Sequence, residues 1–471
     1  MGARENRAVK RAAPASRSWI FFATAAIAGC GGGSSGGEQV AVTPPAFSPQ
    51  CRLFVVDKDD PTASDGNDGR YARDGGTGPW RTISHALDMA DACDTIRVRA
   101  ASTPYRESMD GTPAGIVIAR GGEPGKPIVI EGYPGERPII DQQQSGSEAV
   151  PVAGFVLRCV SWITLRNFEL RNIGEAGVSS SLEGCNSGHI TLENLVIHDV
   201  FGGNLVAGIR LAGVSDVVLE NNRVENIVKV RDDPGPAVAA GRDACRGIRI
   251  GRNTISAVEA GIVASLQTGN ALSELAIDHN RIYQAATAVS LLPGEIDGAF
   301  SQVDVFGNVF HDVETSLAAT AIASGALTIH NNTFAHHSGA AVVVDGFGGV
   351  ALYNNIFFRI GDDFLKAGAT ARFDLVDFNL YWSPGGSGWT LGGASPRTYN
   401  VLQDWQSAYS AEMPDALRAD PDGHGLAEDP LFVDGDRSDF RIQPDSAATL
   451  SGYGGISRGA YFDQGAVGAA P

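Results

Sequence analysis

The chain has 471 residues, rich in glycine (59), with 36 Lys and Arg against 54 Asp and Glu and a net charge of −18. So acidic a surface repels other acidic polymers, which argues against nucleic acid as a partner. An excess of carboxylates favours hard cations instead, and Ca2+ is the expected cofactor.

Residues 1–29 read as an export signal. Arg4, Arg7, Lys10, Arg11 and Arg17 flank the start of the apolar run WIFFATAAIAG, and small residues lead into Cys30. The segment IAGC resembles the bacterial lipobox. That resemblance implies that Cys30 is lipidated and becomes the new N-terminus, and that Gly31, in place of Asp, favours outer-membrane sorting. Residues 30–49 then form a flexible tether. The alternative is an ordinary cleaved signal with an incidental Cys. Losing residues 1–29 removes five cations and one anion, leaving 31 Lys and Arg against 53 Asp and Glu, a net −22. No other stretch reaches the ~18 apolar residues a membrane span needs. The expectation is a monomer held to the bacterial cell envelope, at the outer membrane or cell surface, through its lipid alone.

Residues 50–145 predict an N-terminal cap and the first coils of the architecture that follows. In TISHALDMADACDTIRVRA, Ile83, Ala86, Leu87 and Ala90 share one face of a short amphipathic helix, and Thr95 opens a strand. An exported protein permits disulfides. Cys51 and Cys93 each precede an early strand and are expected to pair.

Residues 146–382 repeat one line. ALTIHNNTFAHH begins at Ala326 and GVALYNNIFFRI at Gly349, and the pattern recurs from Gln302, Glu274, Gly247, Asp216 and, shortened, Asp374. Aligned, these give one Asn column: Asn222, Asn253, Asn280, Asn308, Asn332, Asn355 and Asn379, at steps of 31, 27, 28, 24, 23 and 24 residues. Two earlier copies, WITLRNFELRNI and HITLENLVIHDV, place Phe168 and Leu195 in the column and Asn167 and Asn194 one position before it. Such periods mean a repeat architecture. Alternation at period 2 on both sides of the break means strands, and Asn suits the break because it tolerates a left-handed bend. A further strand candidate precedes each break: AGVSSS, AGIRLAG, AGIVASL, TAVSLLP and AAVVVDG, starting at Ala176, Ala207, Ala260, Thr287 and Ala340. Three short strands per repeat, coiled and stacked at about 4.8 Å, make a parallel β-helix of about nine or more coils, an all-β fold. The Asn column reads as scaffold, its side chains bonding from coil to coil. Cys159 and Cys185 lie 26 residues apart, one coil, and are expected to stack and pair, leaving Cys245 as a buried small hydrophobe.

Residues 383–471 follow the last repeat. A helix near VLQDWQSAY and the segment DPLFVDGDRSDFRIQP predict a C-terminal cap with two or three strands, because a solenoid's open end must be covered.

The front end runs VDKDDPTASDGNDGRYARDGGTGPWRTISHALDMADACDTIRV, then GGEPGKPIVIEGYPGERPIID. This order resembles the start of secreted right-handed parallel β-helix proteins, including the pectate-lyase-like and the alginate- or chondroitin-lyase-like families. DPLFVDGDRSDFRIQPDSAA and DQGAVGAAP resemble the tails of many surface β-helix proteins. The resemblance covers nearly all of the chain beyond the export signal. It implies the right-handed fold and a polysaccharide or surface glycan as partner. It leaves the activity open among lyases, hydrolases, epimerases and binders.

The resemblance implies where lyase chemistry would sit. Such a lyase takes the proton beside a uronate carboxylate with a Lys or Arg base, and steadies the enolate-like transition state with cations or Ca2+. Lysines are few: Lys10, Lys58, Lys126, Lys229 and Lys366. Lys229 falls in the longest repeat, NIVKVRDDPGPAVAAGRDACRG, whose extra residues form a loop. The candidate site is therefore Lys229 or Arg210 as base and neutraliser, helped by Arg231, with Asp232, Asp233 and Asp243 for Ca2+. The plainer reading is a solvated loop whose charges pair with one another. The acidic loops Asp65–Asp68 and Asp434–Asp439 are further candidates for a structural Ca2+. The chain lacks the NKS-type segment of the chondroitinase-like enzymes and the NADGF-like strand of Ca2+-dependent pectate lyases. Polygalacturonase chemistry is excluded because Asp232-Asp233 and Gly423-His424-Gly425 lack their NTD and RIK partners. Outward positions on the groove strand (Ser179, Arg210, Ala239, Val263, Ser290, Val343) are mostly small or apolar. Catalysis by a uronate lyase and glycan binding without catalysis therefore both stand.

Overall fold

The computed structural model describes residues 51–107, 115–145, 149–180, 187–202, 206–229, 236–240, 245–265, 271–292, 299–320, 325–392, 396–412 and 421–460. Over these the chain winds as a parallel β-solenoid with three faces.

The first face is a sheet of 12 parallel strands, running from Leu53–Val56 to Phe373–Asp377. Its inward positions repeat in register: Ile163 and Leu165 stack on Ile190 and Leu192, these on Val217 and Leu219, and so on to Val350 and Leu352. All of these side chains are buried, which is the period-2 alternation of the sequence turned into a core. The second face follows the break, from Ile139–Asp141 to Leu380–Trp382, and the third runs from Ile116–Ile118 to Gly388–Leu391. Mid-solenoid the second and third faces merge into the single strands Thr254–Ser265, Arg281–Leu292 and Val309–Thr320, so those coils carry two strands rather than the three expected. The aromatic after each late Asn points inward: Phe310, Phe334, Phe357 and Tyr381 form one buried stack with ring centroids 5.6, 4.8 and 5.0 Å apart.

The Asn column is a continuous buried ladder. Asn222 Nδ2 donates to Asn253 Oδ1 at 3.0 Å, and each amide donates likewise to the next as far as Asn379. Each Nδ2 also reaches a carbonyl of the preceding coil, as Asn308 does to Ile277 at 2.8 Å. The left-handed bend is not at these residues. It falls one position earlier, at Asn221, Arg252, His279, Asn331, Asn354 and Phe378, and at Asn167 and Asn194 in the two early copies. An Asn in the left-handed seat turns the bend, whereas an Asn just after it faces inward and bonds coil to coil.

At the front, helix α1 (Ile83–Met89) buries Ile83, Ala86 and Leu87 in the main core beside Phe54 and Trp80. Its N-terminus is held by Thr82, whose hydroxyl accepts from His85 N at 3.2 Å, and by Glu107, which accepts from Ile83 N and Ser84 N at 2.8 Å each. Cys51 and Cys93 form a disulfide across this region.

The tail does two things. Helix α2 (Leu402–Glu412) places Trp405 on Trp389, ring centroids 5.7 Å apart, at the end of the core. The chain then reverses and runs back along the outside of the second face. There the hairpin Phe432–Asp434 with Asp439–Ile442 buries Phe432, Phe440 and Ile442 on Val309, Ala335, Ile356 and Phe358. The hairpin is thus a strap over coils already built.

Candidate active face

The outward column of the third face is now set by register. Val117, Val156, Ser179, Arg210, Ala239, Val263, Ser290, Ala318, Val343, Lys366 and Thr390 stack in that order. Small and apolar residues dominate it, and its cations are Arg210 and Lys366.

Arg210 is 6% exposed and ion-paired with Glu175, which stands just before the third-face strand Ala176–Ser180. Burial of a guanidinium requires such a partner, since an uncompensated charge there would cost several kcal/mol. Sequence reasoning passed over Glu175. Its signal was a lone acid entering a strand of otherwise small residues, NIGEAGVSS, ahead of the coil that carries Arg210. Lys366, half-exposed, lies 2.5 Å from Asp362 and 3.9 Å from Asp363; burial raises the Asp363 carboxyl above its usual range.

Lys229 ends the second-face strand Arg223–Lys229, and its backbone pairs with Gly202. Gly202 in turn lies over Gly174, where an added Cβ would come within 2.7 Å of the Gly174 carbonyl. The position of Lys229 is thus about two coils, roughly 10 Å, from the residue preceding Glu175. At the corner between second and third faces Glu175 meets Arg210, and the backbone of Lys229 lies about two coils further along. Arg231, Asp232, Asp233 and Asp243 lie outside the described residues, as do Cys30 and Cys185. Cys159 is disulfide-bonded, and Cys245 is buried in the core.

The acidic loops have other employment. Asp65 accepts from Arg81 N at 2.9 Å, Thr82 N at 3.0 Å and Thr82 Oγ1 at 2.9 Å, locking the entry to α1. Asp68 accepts from Thr77 N at 2.9 Å and Arg70 Nη2 at 2.8 Å. Asp439 is bound by Arg441 and Asp434 lies 3.4 Å from Arg437. Backbone and guanidinium donors occupy the oxygens a cation would need. Among the described residues no group of three or more His, Cys, Asp or Glu is placed to hold a metal ion. Of the other described lysines, Lys58 donates to Pro104 O at 2.8 Å and Lys126 lies 3.8 Å from Glu123. Surface cavities of about 420 Å3, beside Arg137, Asn167 and Asn194, and about 520 Å3, beside Arg52, Arg70 and Tyr71, open away from the third face.

Residues 153–357 match the family described as the right handed beta helix region. No curated protein matches the chain significantly by sequence. Among solved structures, the chain resembles pectate lyase Pel9A, with TM-score 0.55 and 15% identity over 87% of this chain and 96% of that one. It also resembles the GH136 lacto-N-biosidase from Eubacterium ramulus, with TM-score 0.52 and 13% identity over 71% of this chain and 64% of that one. At such identity the likeness shows the fold, a right-handed parallel β-helix shared by a polysaccharide lyase and a glycoside hydrolase.

Proposed function

We propose that this right-handed β-helix protein acts on polysaccharide as a uronate lyase, anchored at the cell envelope through a lipid on Cys30. The observation that carries the reading is Arg210: a cation buried on the outward column of the third face and held by Glu175. In this reading the Arg210 guanidinium exchanges its Glu175 partner for a uronate carboxylate, whose geometry its planar fork of donors matches. Lys229 is the base in this reading, and Asp232, Asp233 and Asp243 are the residues that would recruit Ca2+. The neighbourhood of structures that includes pectate lyase Pel9A and the lacto-N-biosidase supports a carbohydrate substrate.

The test is incubation of the protein with pectate, alginate, chondroitin and hyaluronan, with Ca2+ and with chelator, following the ultraviolet absorbance of unsaturated uronate. A rise lost in Lys229→Ala and in Arg210→Ala, with unchanged circular dichroism, supports the lyase. A flat trace on every polymer sinks it. Glycan binding without catalysis then takes its place, a reading favoured by the small outward residues Ser179, Ser290 and Ala318; glycan-array binding decides that case.

A further inference from the structure

The strap rests on two imidazoles. The Phe440 ring lies 5.4 Å from that of His311 and 5.9 Å from that of His336, centroid to centroid. Asp312 stands between them, with Oδ2 2.7 Å from His311 Nδ1 and Oδ1 3.8 Å from His336 Nδ1.

Hydrogen bonding fixes the charge of His311. Arg281 Nε donates to His311 Nε2 at 3.2 Å, so that nitrogen carries a lone pair and the ring proton sits on Nδ1, facing Asp312. The same guanidinium donates through Nη2 to Ser438 O at 3.2 Å, in the bend of the hairpin. One arginine therefore ties a neutral imidazole to the strap. A proton on Nε2 would set N–H against N–H, and cation against cation, across that 3.2 Å contact. At His336 the buried Nε2 has no hydrogen-bond partner, so a proton there would have no acceptor.

The remaining groups around the rings do not supply one. Tyr283 stacks on His311 with centroids 4.9 Å apart, and His337 turns into the core against Ser316. Arg359, near His336, is ion-paired with Asp436 of the strap, and Asp439 of the strap is bound by Arg441. Burial holds both imidazoles below the usual histidine range; Arg281 adds to this at His311 and Arg359 at His336, against the pull of Asp312.

We propose that the strap is an acid-released latch: protonation of His311 drives Arg281 off the ring and off Ser438, and the hairpin lifts from the second face. Release bares the apolar strip of Val309, Ala335, Ile356 and Phe358. A base held below its unfolded value contributes stability at neutral pH that is lost as pH falls below about 6.5. The inference is independent of whether the third face is catalytic.

Hydrogen–deuterium exchange of the full-length protein tests it, with rates corrected for the pH dependence of intrinsic exchange. Between pH 7.5 and 5, peptides spanning residues 432–442 should lose at least tenfold in protection, while first-face strands such as Ala326–His330 and Gly349–Tyr353 keep theirs. His311→Gln, whose amide oxygen still accepts from Arg281 but does not titrate, combined with His336→Phe, should hold the strap down at pH 5. Equal strap protection at both pH values overturns the latch, and so does release that persists unchanged in the double variant. Should that variant fold poorly, the wild-type midpoint decides. A midpoint in the histidine range is expected, and one below pH 4 would assign release to carboxylates and refute the proposal.

Discussion

Asn308→Ala is the sharpest test of what holds the coils together. Asn308 is fully buried. Its Oδ1 accepts from Asn280 N at 2.9 Å and Asn280 Nδ2 at 3.0 Å, and its Nδ2 donates to Ile277 O at 2.8 Å, Phe306 O at 3.0 Å and Asn332 Oδ1 at 3.0 Å. Alanine removes all five. Two buried backbone groups, Asn280 N–H and Ile277 C=O, lose the partners named here, and each such loss costs about 1–3 kcal/mol. Asn332 Oδ1 still receives the backbone N–H of residue 308, so the damage stays local. The expected loss is about 4 kcal/mol in urea unfolding followed by circular dichroism, with an unchanged denaturant slope. Combining Asn308→Ala with Asn332→Ala should cost less than the sum, because they share a bond. Combining it with Asn222→Ala, three coils away, should be additive within about 0.5 kcal/mol. A loss below about 1 kcal/mol, or full additivity for the neighbouring pair, would refute the view that the ladder works rung by rung.

Other expectations are equally direct. Asp422 ends the ladder fully buried, accepting from Asn379 Nδ2 at 3.0 Å, Tyr381 OH at 2.8 Å and Trp405 Nε1 at 3.1 Å. Asp422→Asn turns a donor toward donors and should lower thermal stability by several degrees. Burial pushes the Asp422 carboxyl up to about 6, so the folded chain binds this proton more tightly than the unfolded chain. Its contribution is present below about pH 4 and lost as pH rises through 6, and the Asn variant should flatten that part of a stability–pH profile. The Cys51–Cys93 disulfide closes a loop of sequence separation 42, worth about 4 kcal/mol by chain entropy. Cys51→Ala with Cys93→Ala should therefore loosen Leu53–Val56 and Thr95–Val98 first, read as faster hydrogen exchange there. Glu175→Ala removes one carboxylate partner of Arg210 and should lower stability, read as a reduced urea midpoint.

Much of the fold was legible because it repeats. An inward Ile or Leu at every second position and an Asn at every coil are local patterns, and stacking multiplies them until they stand out. The strap was not legible. Phe432, Phe440 and Ile442 alternate like any hairpin, and nothing local says that their partners, such as Val309 and Ala335, lie about a hundred residues earlier. The charged groups misled in a similar way. Asp65 and Asp68 look like cation ligands in a line of text, but their oxygens are taken by backbone N–H groups that only the folded loop brings near. The sequence singled out Arg210 on the third face, and Lys229 at the end of a second-face strand through the scarcity of lysines, whereas the pairing of Arg210 with Glu175 became visible only when the coils were stacked.

The way the ladder stops bears on how such a chain can change length. Every asparagine both takes a hydrogen bond from one neighbour and passes one on, so the row behaves like a growing polymer with a live end. Asp422, borrowed from beyond α2, receives the last bond from Asn379 and as a carboxylate has none to hand on. It terminates the row much as a capping monomer ends a synthetic chain. Because the terminator meets only the final rung, whole repeats could be inserted or deleted upstream without redesigning the end, and the third face could be lengthened one coil at a time.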